Sequence, residues 1–452
     1  MPLEIKTIMS DEKVKVAIIG FGTVGGGVAK ILLDSADEIY RKTSVRLELA
    51  HVVDVDLDRS RPVTLPKGLL HNDLQKVLSD KEVSIAVELV GGTGVAGDIQ
   101  KKLLKAGKDV VTANKALLAE HGEEIYEVAR KQGRCVAFEA SCCGGVPVIG
   151  AIRTGLVANR ISAMYGIVNS TCNYILSEMS GQGKEYSVSL KEAQKAGFAE
   201  ADPTLDVSGA DSAHKLAILA GLAFGGQVQY KDISVEGIDE IQLVDICYGQ
   251  EMGYAMKLLA IAEQTNKGLS LRVHPSFVNK DELLAQVYGS FTAVSIFGDA
   301  VGHTSYYGRG AGMMPTASAV VADIIDVARG NAKRIFEVTP GLGRKALPQK
   351  LCPREEMVSR FYLRLSVEDK PGVFFKIAKI LGDREISISA CLQHESKSDD
   401  CVPVIIMTHK ARQGDMNQAL KELAQLQVVR DRPVCVHVVS PPKDGLFGDE
   451  HE

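Results

Sequence analysis

The hexapeptide Gly20-Phe21-Gly22-Thr23-Val24-Gly25 constrains this chain more than any other feature. It follows the short apolar run VKVAII (residues 14–19) and precedes a stretch of helical periodicity from residue 23. A nearly continuous apolar run of that length suits a parallel strand covered on both faces. In such a strand–turn–helix the first glycine permits the tight turn, and the second lets the backbone approach a pyrophosphate. The third allows the helix to lie close to the strand, and the helix N-terminus presents oriented N–H groups to the anion. A glycine-rich turn without a ligand is the competing reading, but the hexapeptide stands in the context that dinucleotide binding requires.

Strand-like runs recur at residues 47–54, 83–90, 109–112 and 135–139, with helical stretches at 23–40, 71–78, 96–106 and 120–132. This alternation predicts an α/β fold with a Rossmann-type doubly wound parallel sheet. From about 147 to 312 the pattern is less regular. Extended runs at 160–168 and 285–293 mix with helices at 189–196 and 211–224, as in an α+β domain. A helix at 315–329 opens with Pro315, a residue suited to a first turn, and the Gly- and Pro-rich stretch 341–353 reads as a linker. Beyond it, strands at 360–367, 386–392, 402–408 and 434–439 alternate with helices at 373–381 and 416–426. That is a ferredoxin-like βαββαβ unit with enough apolar residues for its own core. Residues after Pro441 read as a frayed tail.

Composition removes several classes of function. The 452 residues suggest two to four domains. The excess of 57 Asp and Glu over 52 Lys and Arg argues against a nucleic-acid partner. The longest apolar run, near residues 216–224, falls well short of the roughly 18 residues of a membrane span. The N-terminus, MPLEIKTIMSDEK, lacks the basic start and apolar core of a signal peptide, so a cytoplasmic protein without a membrane partner is expected. Nine cysteines form no C-x-x-C pair and no His cluster stands at zinc spacing, as expected of buried, reduced thiols.

Two further groups carry chemistry. Asp54 ends the second predicted strand, where a carboxylate accepts from the adenosine ribose and repels a 2′-phosphate, pointing to NAD. Arg59 and Arg61 stand close enough to bind a phosphate, so NADP stays open. Farther on, Glu200, Asp202, Asp206 and Asp211 precede Lys215. Asp211 and Lys215 are spaced to share one face of a helix. A surface ion pair is the plain alternative. However, the apolar run after Lys215 predicts a buried helix, and a buried lysine among carboxylates has the composition of an acid/base site that also holds an ammonium substrate.

In order along the chain, GFGTVGGGV, VTANKALLA, FEAS..GG.P, NSTCNYIL, EADPTLDVSGADSAHKLAILA and GRGAGMMPTASAVVADI closely resemble the homoserine dehydrogenase family, over residues 14–330. The last hundred residues, with DKPGVFFKIAKIL and ISISACLQ, look like an ACT domain, a small amino-acid-sensing module. The resemblance implies reversible, NAD- or NADP-dependent interconversion of L-aspartate 4-semialdehyde and L-homoserine. Hydride passes between the nicotinamide and the carbonyl carbon, so an acid must protonate the developing alkoxide. The position matching that acid is Lys215, and Lys115 matches a second lysine that reaches cofactor and substrate. Glu200 and Asp211 match positions that hold the substrate amino group, with Gly197 and Asp206 beside them. Thr93 and Gly312 match further cofactor-binding positions. The family also holds a monovalent cation, usually sodium, in the hinge between its main domains. The matching positions are Glu139, Cys142, Gly144 and Val146, mainly through backbone oxygens suited to a hard cation.

The chain departs from the family pattern at Cys142-Cys143, where small aliphatic residues are usual, and at Ser170, where glycine commonly precedes Thr-x-Asn. Adjacent thiols there leave a redox-sensitive hinge open as the alternative to buried, reduced cysteines. The resemblance further implies three domains. A nucleotide-binding domain spans 1–147 and is rejoined by about 313–345, a catalytic and dimerisation domain spans 148–312, and the ACT domain spans 355–441. Within the last, Asp369-Lys370-Pro371-Gly372 occupies the place of an effector loop for L-threonine; a module that only dimerises is the alternative. A homodimer or homotetramer is expected. Because the chain starts close to the first nucleotide-binding strand, no aspartate-kinase segment is expected before it. Two other functions are the alternatives: an oxidoreductase acting on another semialdehyde, and a non-catalytic amino-acid sensor with a Rossmann-like fold.

Overall fold

The computed structural model describes residues 13–61, 63–346, 348–394 and 401–442. The segment read for a signal peptide and most of the expected tail lie outside them. The chain forms two compact units. One comprises Met1–Val157, Ala217–Gln229 and Gly308–Pro348; the other comprises Ala158–Leu216, Tyr230–Tyr307 and Gln349–Glu452.

Among the described residues the first unit holds six strands: β1 (Lys13–Ile19), β2 (Arg46–Val53), β3 (Leu70–His71), β4 (Val83–Glu88), β5 (Asp109–Thr112) and β6 (Val136–Ala137). They pair in parallel in the order β3-β2-β1-β4-β5-β6. The central strands are apolar on both faces, with Val16, Ala17 and Ile18 of β1 and Ala86 and Val87 of β4 wholly buried. Strand order reverses between β1 and β4, and open α/β sheets leave a ligand crevice at the carboxyl ends of the strands beside such a reversal. The glycine hexapeptide lies there. A predicted helix over 23–40 is two, Thr23–Asp34 and Ala36–Thr43, broken at Ser35. The first is apolar and packed, while the second is charged and buries only Ile39, so a turn at the junction leaves the charges in water. The predicted strand over 135–139 shortens to β6 and gives way to a 3₁₀ turn, Glu139–Ser141. The helix Met313–Ala328 packs on Thr23–Asp34 so closely that a Cβ on Gly27 would stand 2.9 Å from the Ala317 Cβ.

The second unit carries β7 (Ile161–Ile167), β8 (Ser234–Val235), β9 (Tyr254–Thr265), β10 (Gly268–Asn279), β11 (Phe291–Gly298) and β12 (Gly302–Arg309). It continues with β13 (Val358–Val367), β14 (Ile388–Leu392), β15 (Val402–Thr408), β16 (Ala411–Arg412) and β17 (Val434–Val439). One mixed sheet runs β12-β11-β7-β9-β10-β17-β13-β15-β14, with β8 beside β10 and β16 beside β13. The long β9–β10 hairpin went unread in the sequence because its strands are buried along most of their length and show no alternation. The predicted extended run over 285–293 is instead a 3₁₀ turn, Leu283–Gln286, leading into β11.

The C-terminal module runs β13, helix Val373–Asp383, β14, β15, helix Gln413–Ala424, β17, and its strands pair as β17-β13-β15-β14. Leu363, Ile377, Leu381, Ile406 and Leu423 fill its core. Its sheet does not stop at β17. That strand also pairs in parallel with β10 through Ser276↔His437, Phe277↔Val438 and Val278↔Val439. Arg364 of β13 reaches the buried Asp245 at 2.6 Å, and the Tyr362 hydroxyl donates to the same carboxylate at 2.9 Å. Among the described residues no helix is long and apolar enough to cross a membrane.

Candidate active site

In the first unit the glycine loop is built around two collisions and one opening. A Cβ on Gly20 (φ +98°) would lie 2.6 Å from the Leu89 carbonyl, and one on Gly25 would lie 2.1 Å from the Gly20 carbonyl oxygen. Neither position tolerates a side chain without moving backbone. A Cβ on Gly22 would meet nothing within 4 Å, which is the open approach a phosphate needs. Gly22 is the N-cap of Thr23–Asp34 and contributes no side-chain cap, leaving first-turn N–H groups for an anion.

Asp54 stands one residue past β2 and closes this loop. Its carboxylate accepts from the Phe21 N–H at 2.6 Å and the Asp56 N–H at 2.9 Å. Arg61 pairs with it at 3.5 Å, donates from Nε to the Phe21 carbonyl at 2.9 Å, and lies 5.0 Å over the Phe21 ring. Burial pushes the Asp54 carboxyl up, but the two N–H donors and the guanidinium together outweigh it and hold the group below its ordinary value. Arg61 is therefore woven into the loop, while the Arg59 N–H donates to Asp56 at 3.0 Å.

Glu88, at the end of β4, had no place in the sequence reading. It is wholly buried and accepts from the Val90 N–H (2.7 Å), Gln100 Nε2 (2.7 Å) and Thr112 Oγ1 (3.0 Å). One carboxylate thus joins the ends of β4 and β5 to the helix Gly94–Lys105. The available signal was an ionisable residue within an apolar strand, which is seldom buried unless paired. Thr93 is the N-cap of that helix and makes no side-chain cap bond. Lys115 opens the helix Lys115–Gln132, whose N-cap, Asn114, accepts from the Leu117 N–H at 3.2 Å and donates to the Gly92 carbonyl at 2.7 Å. Gly312 (φ +119°) is the N-cap of Met313–Ala328.

The four residues suggested for a cation follow β6 on one turn. Cys143 (φ 55°) and Gly144 (φ 29°) take the left-handed conformation in succession, and a Cβ on Gly144 would lie 2.8 Å from the Gly310 carbonyl oxygen. The Glu139 carboxylate is already engaged by the Ile149 and Gly150 N–H groups at 2.9 and 2.6 Å. Its main-chain oxygen and those of the turn are the hard donors on offer. Among the described residues no group of three or more His, Cys, Asp or Glu side chains is arranged to ligate a metal. Cys142 and Cys143 are 0% and 1% exposed, so an oxidant in solution does not meet either thiol in this conformation.

In the second unit the chemistry gathers on Lys215, on the helix Ala210–Phe224. The residue is 9% exposed, and its ammonium donates to the Val168 carbonyl at 2.7 Å and to Asp211 at 2.5 Å, forming a buried (i, i+4) ion pair. Asn169 adjoins it. Its Nδ2 donates to Asp206 and to Asp211, both at 2.8 Å, while its Oδ1 caps the helix Ser170–Gln182 by accepting from the Cys172 N–H at 2.8 Å. Asp206, Asp211 and Lys215 are thereby one network, and the end of β7 supplies its organising residues. Val168 and Asn169 were missed as functional positions; the Asn-Ser-Thr helix-start signature was the readable hint. Gly197 and Glu200 lie on the exposed loop after Tyr186–Lys195. Gln194 Nε2 holds the Glu200 carbonyl at 3.1 Å, and Thr171 Oγ1 holds the Phe198 carbonyl at 2.7 Å. The Glu200 carboxylate does not join the Lys215 network. An ammonium fixed between a carbonyl and a carboxylate is oriented to deliver a proton to an oxygen beside it.

Comparison with known proteins covers most of the chain. Residues 20–139 match the family model "Homoserine dehydrogenase, NAD binding domain", 147–325 match "Homoserine dehydrogenase", and 361–427 match "ACT domain". A homoserine dehydrogenase of Neisseria gonorrhoeae is 41% identical over 94% of this chain and 98% of its own. One of Pseudomonas aeruginosa is 43% identical with the same coverage. The crystal structure of a homoserine dehydrogenase from Thiobacillus denitrificans superposes with a TM-score of 0.89 at 40% identity, covering 95% of this chain and 98% of that one. A hyperthermophilic archaeal homoserine dehydrogenase in complex with NADPH superposes at 0.59 with 25% identity over 71% of this chain and 98% of that one.

Proposed function

The chain belongs to the homoserine dehydrogenase family, an NAD(P)-dependent oxidoreductase with a C-terminal ACT domain, and on that premise we propose how its residues divide the work. The reaction interconverts L-aspartate 4-semialdehyde and L-homoserine. The observation that carries the assignment of roles is the buried Lys215, held at 2.7 Å by the Val168 carbonyl and at 2.5 Å by Asp211. Lys215 donates the proton to the developing alkoxide during reduction and takes it back during oxidation. Asp211 fixes the ammonium and, with Glu200, attracts the substrate's amino group; Asp206 and Gly197 shape the same site. The nicotinamide, when bound, supplies or accepts the hydride.

On the cofactor side, Gly20 to Gly25 and the helix behind them seat the pyrophosphate, while Asp54 holds the loop beside the ribose. Thr93, Lys115 and Gly312 complete that side, Lys115 reaching the substrate as well. NAD is the favoured cofactor because Asp54 stays ionised and Arg61 is already committed to it. The NADPH complex of the archaeal relative keeps NADP in view. A monovalent cation such as sodium fits the oxygen-rich turn at Glu139, Cys142, Gly144 and Val146. The module from about residue 355 to 441 answers to an amino acid, L-threonine being the first to test, and the enzyme works in the cytoplasm as a homodimer or homotetramer.

The deciding experiment is an assay with L-homoserine and each cofactor, with and without L-threonine. Turnover with a preference for NAD and inhibition by threonine is the expected result. No turnover with either cofactor would overturn the roles proposed, and a strong NADP preference would overturn the reading of Asp54.

A further inference from the structure

Four donors, none of them a cation, meet the Glu88 carboxylate among the described residues. Its Oε1 accepts from the Val90 N–H at 2.7 Å and more loosely from the Gly91 N–H at 3.4 Å. Its Oε2 accepts from Gln100 Nε2 at 2.7 Å and from Thr112 Oγ1 at 3.0 Å. Glu88, Gln100 and Thr112 are each 0% exposed. Burying a carboxylate at a strand end is costly even with such donors, and an apolar side chain would fill the same space at less cost. The use of this one lies in where its contacts lead.

One branch runs into the loop that follows β4. Gly91 (φ +84°) and Gly92 (φ +71°) are successive left-handed residues, and a Cβ on either would meet nothing within 4 Å. Val90 and Val95 are 45% and 68% exposed. Packing does little to fix such a loop, so its place depends on hydrogen bonds. Glu88 holds it at Val90 and Gly91, and Asn114 Nδ2 holds it at the Gly92 carbonyl, 2.7 Å away. The next residue is Thr93. The other branch runs through Thr112, whose hydroxyl oxygen accepts from the Asn114 N–H at 3.1 Å while its O–H turns to Glu88. Asn114 in turn caps the helix that Lys115 opens. The two branches meet, because the Asn114 that Thr112 holds is the residue that reaches Gly92. Glu88, the loop, Asn114 and Thr112 thus close a ring of hydrogen bonds, with Thr93 and Lys115 each one residue beyond it.

We propose that Glu88 is a positioning residue for hydride transfer: the ring built on its carboxylate sets Thr93 and Lys115 in register with one another, and so places the nicotinamide against the substrate carbonyl. This rests on the roles given above to Thr93 and Lys115. A displacement of about 1 Å at a reacting centre costs on the order of 10²-fold in rate, which is the scale on which such a ring matters. A carboxylate is the group that fits, since both of its oxygens accept. An amide of the same shape would turn its NH₂ toward two of the four donors, whichever way it was flipped.

The test is a double-mutant cycle between Glu88→Gln and Lys115→Ala in the full-length enzyme. It is read as kcat and KM for L-homoserine, dinucleotide affinity by fluorescence titration, and melting temperature. Glu88→Gln should lower kcat by about 10- to 100-fold. Dinucleotide affinity, set mainly at Gly20 to Gly25, should move far less. In the Lys115→Ala background the same substitution should have a much smaller effect on kcat, because a group that it positions is gone. Thr112→Val keeps the shape of the side chain and breaks only the second branch. It should also lower kcat, by a smaller factor, and it carries the test if Glu88→Gln does not fold. An equal fold-loss in both backgrounds would overturn the positioning role. So would a lower melting temperature with kcat of the folded enzyme unchanged in Glu88→Gln or Thr112→Val. Wild-type kcat in Lys115→Ala alone is a different failure, that of the role assigned to Lys115.

Discussion

The two units make their sites from different material. In the nucleotide-binding unit the glycine loop is made largely of backbone, from residues close together in the chain: colliding glycines, helix N-termini and short-range caps. Around Lys215 the site is made of side chains brought together from 169, 206, 211 and 215, with the one main-chain carbonyl of Val168, and buried as one charged network. A backbone site fails when a side chain is added to it. A buried side-chain network fails when one is taken away, because its partners are left without compensation.

The largest effect expected from that contrast is at Lys215. Lys215→Ala should lower kcat by about 10²–10⁴-fold, the range for loss of a positioned acid/base group. Dinucleotide binding, followed by fluorescence titration, should be unchanged; near-normal kcat would end the role. Next comes the opposite kind of damage. Gly25→Ala places a Cβ 2.1 Å from the Gly20 carbonyl oxygen, so dinucleotide affinity should fall by tenfold or more and stability by about 1–3 kcal/mol. If binding and melting temperature are those of the wild type, the loop is not built as described. Asp54→Asn should come third. It removes the charge that Arg61 and two N–H donors address, and should cost several-fold in kcat/KM with NAD and less with NADP. Equal losses with both cofactors would mean that Asp54 acts only on loop structure.

The smallest effect lies away from both sites, where β10 pairs with β17. His274 and His437 stack with ring centroids 3.8 Å apart. Burial lowers both, helped at His437 by Arg272 and Arg354, so that His437 falls from 6.5 to about 3. Below pH 6.5 the unfolded chain takes up protons that the folded histidines refuse, so the unfolded state binds more protons and stability declines as pH falls. Each such histidine contributes a slope of about 1.4 kcal/mol per pH unit in that window. His437→Phe keeps an aromatic face on His274 and should flatten the dependence seen in thermal melts between pH 6.5 and 5. An unchanged slope would place the sensitivity elsewhere.

Legibility followed the same division. The hexapeptide, Asp54, and the Asp211–Lys215 pair were visible because each depends on short-range spacing or on one strand–turn–helix. Ser35 was invisible as a helix break because the helical period continues through it. Glu88 stayed hidden because its side-chain donors, Gln100 and Thr112, come from separate elements farther along the chain. The β9–β10 hairpin did too, since strands buried on both faces carry no alternation to read. Glu200 stands near Asp211 and Lys215 in sequence and matches a substrate-binding position by resemblance, and in this structure it is exposed on the loop after Tyr186–Lys195.

By itself the sequence determined a dinucleotide fold, the family to which the chain belongs, and which lysine to suspect, because spacing along the chain encodes local geometry directly. Only the tertiary structure decided what holds that lysine. Its acceptor is the Val168 carbonyl, 47 positions away, delivered by the end of β7. Tertiary structure also decided that the C-terminal module shares one sheet with the catalytic body through β10 and β17. Register between distant strands is set by packing across the whole unit, and no local period records it.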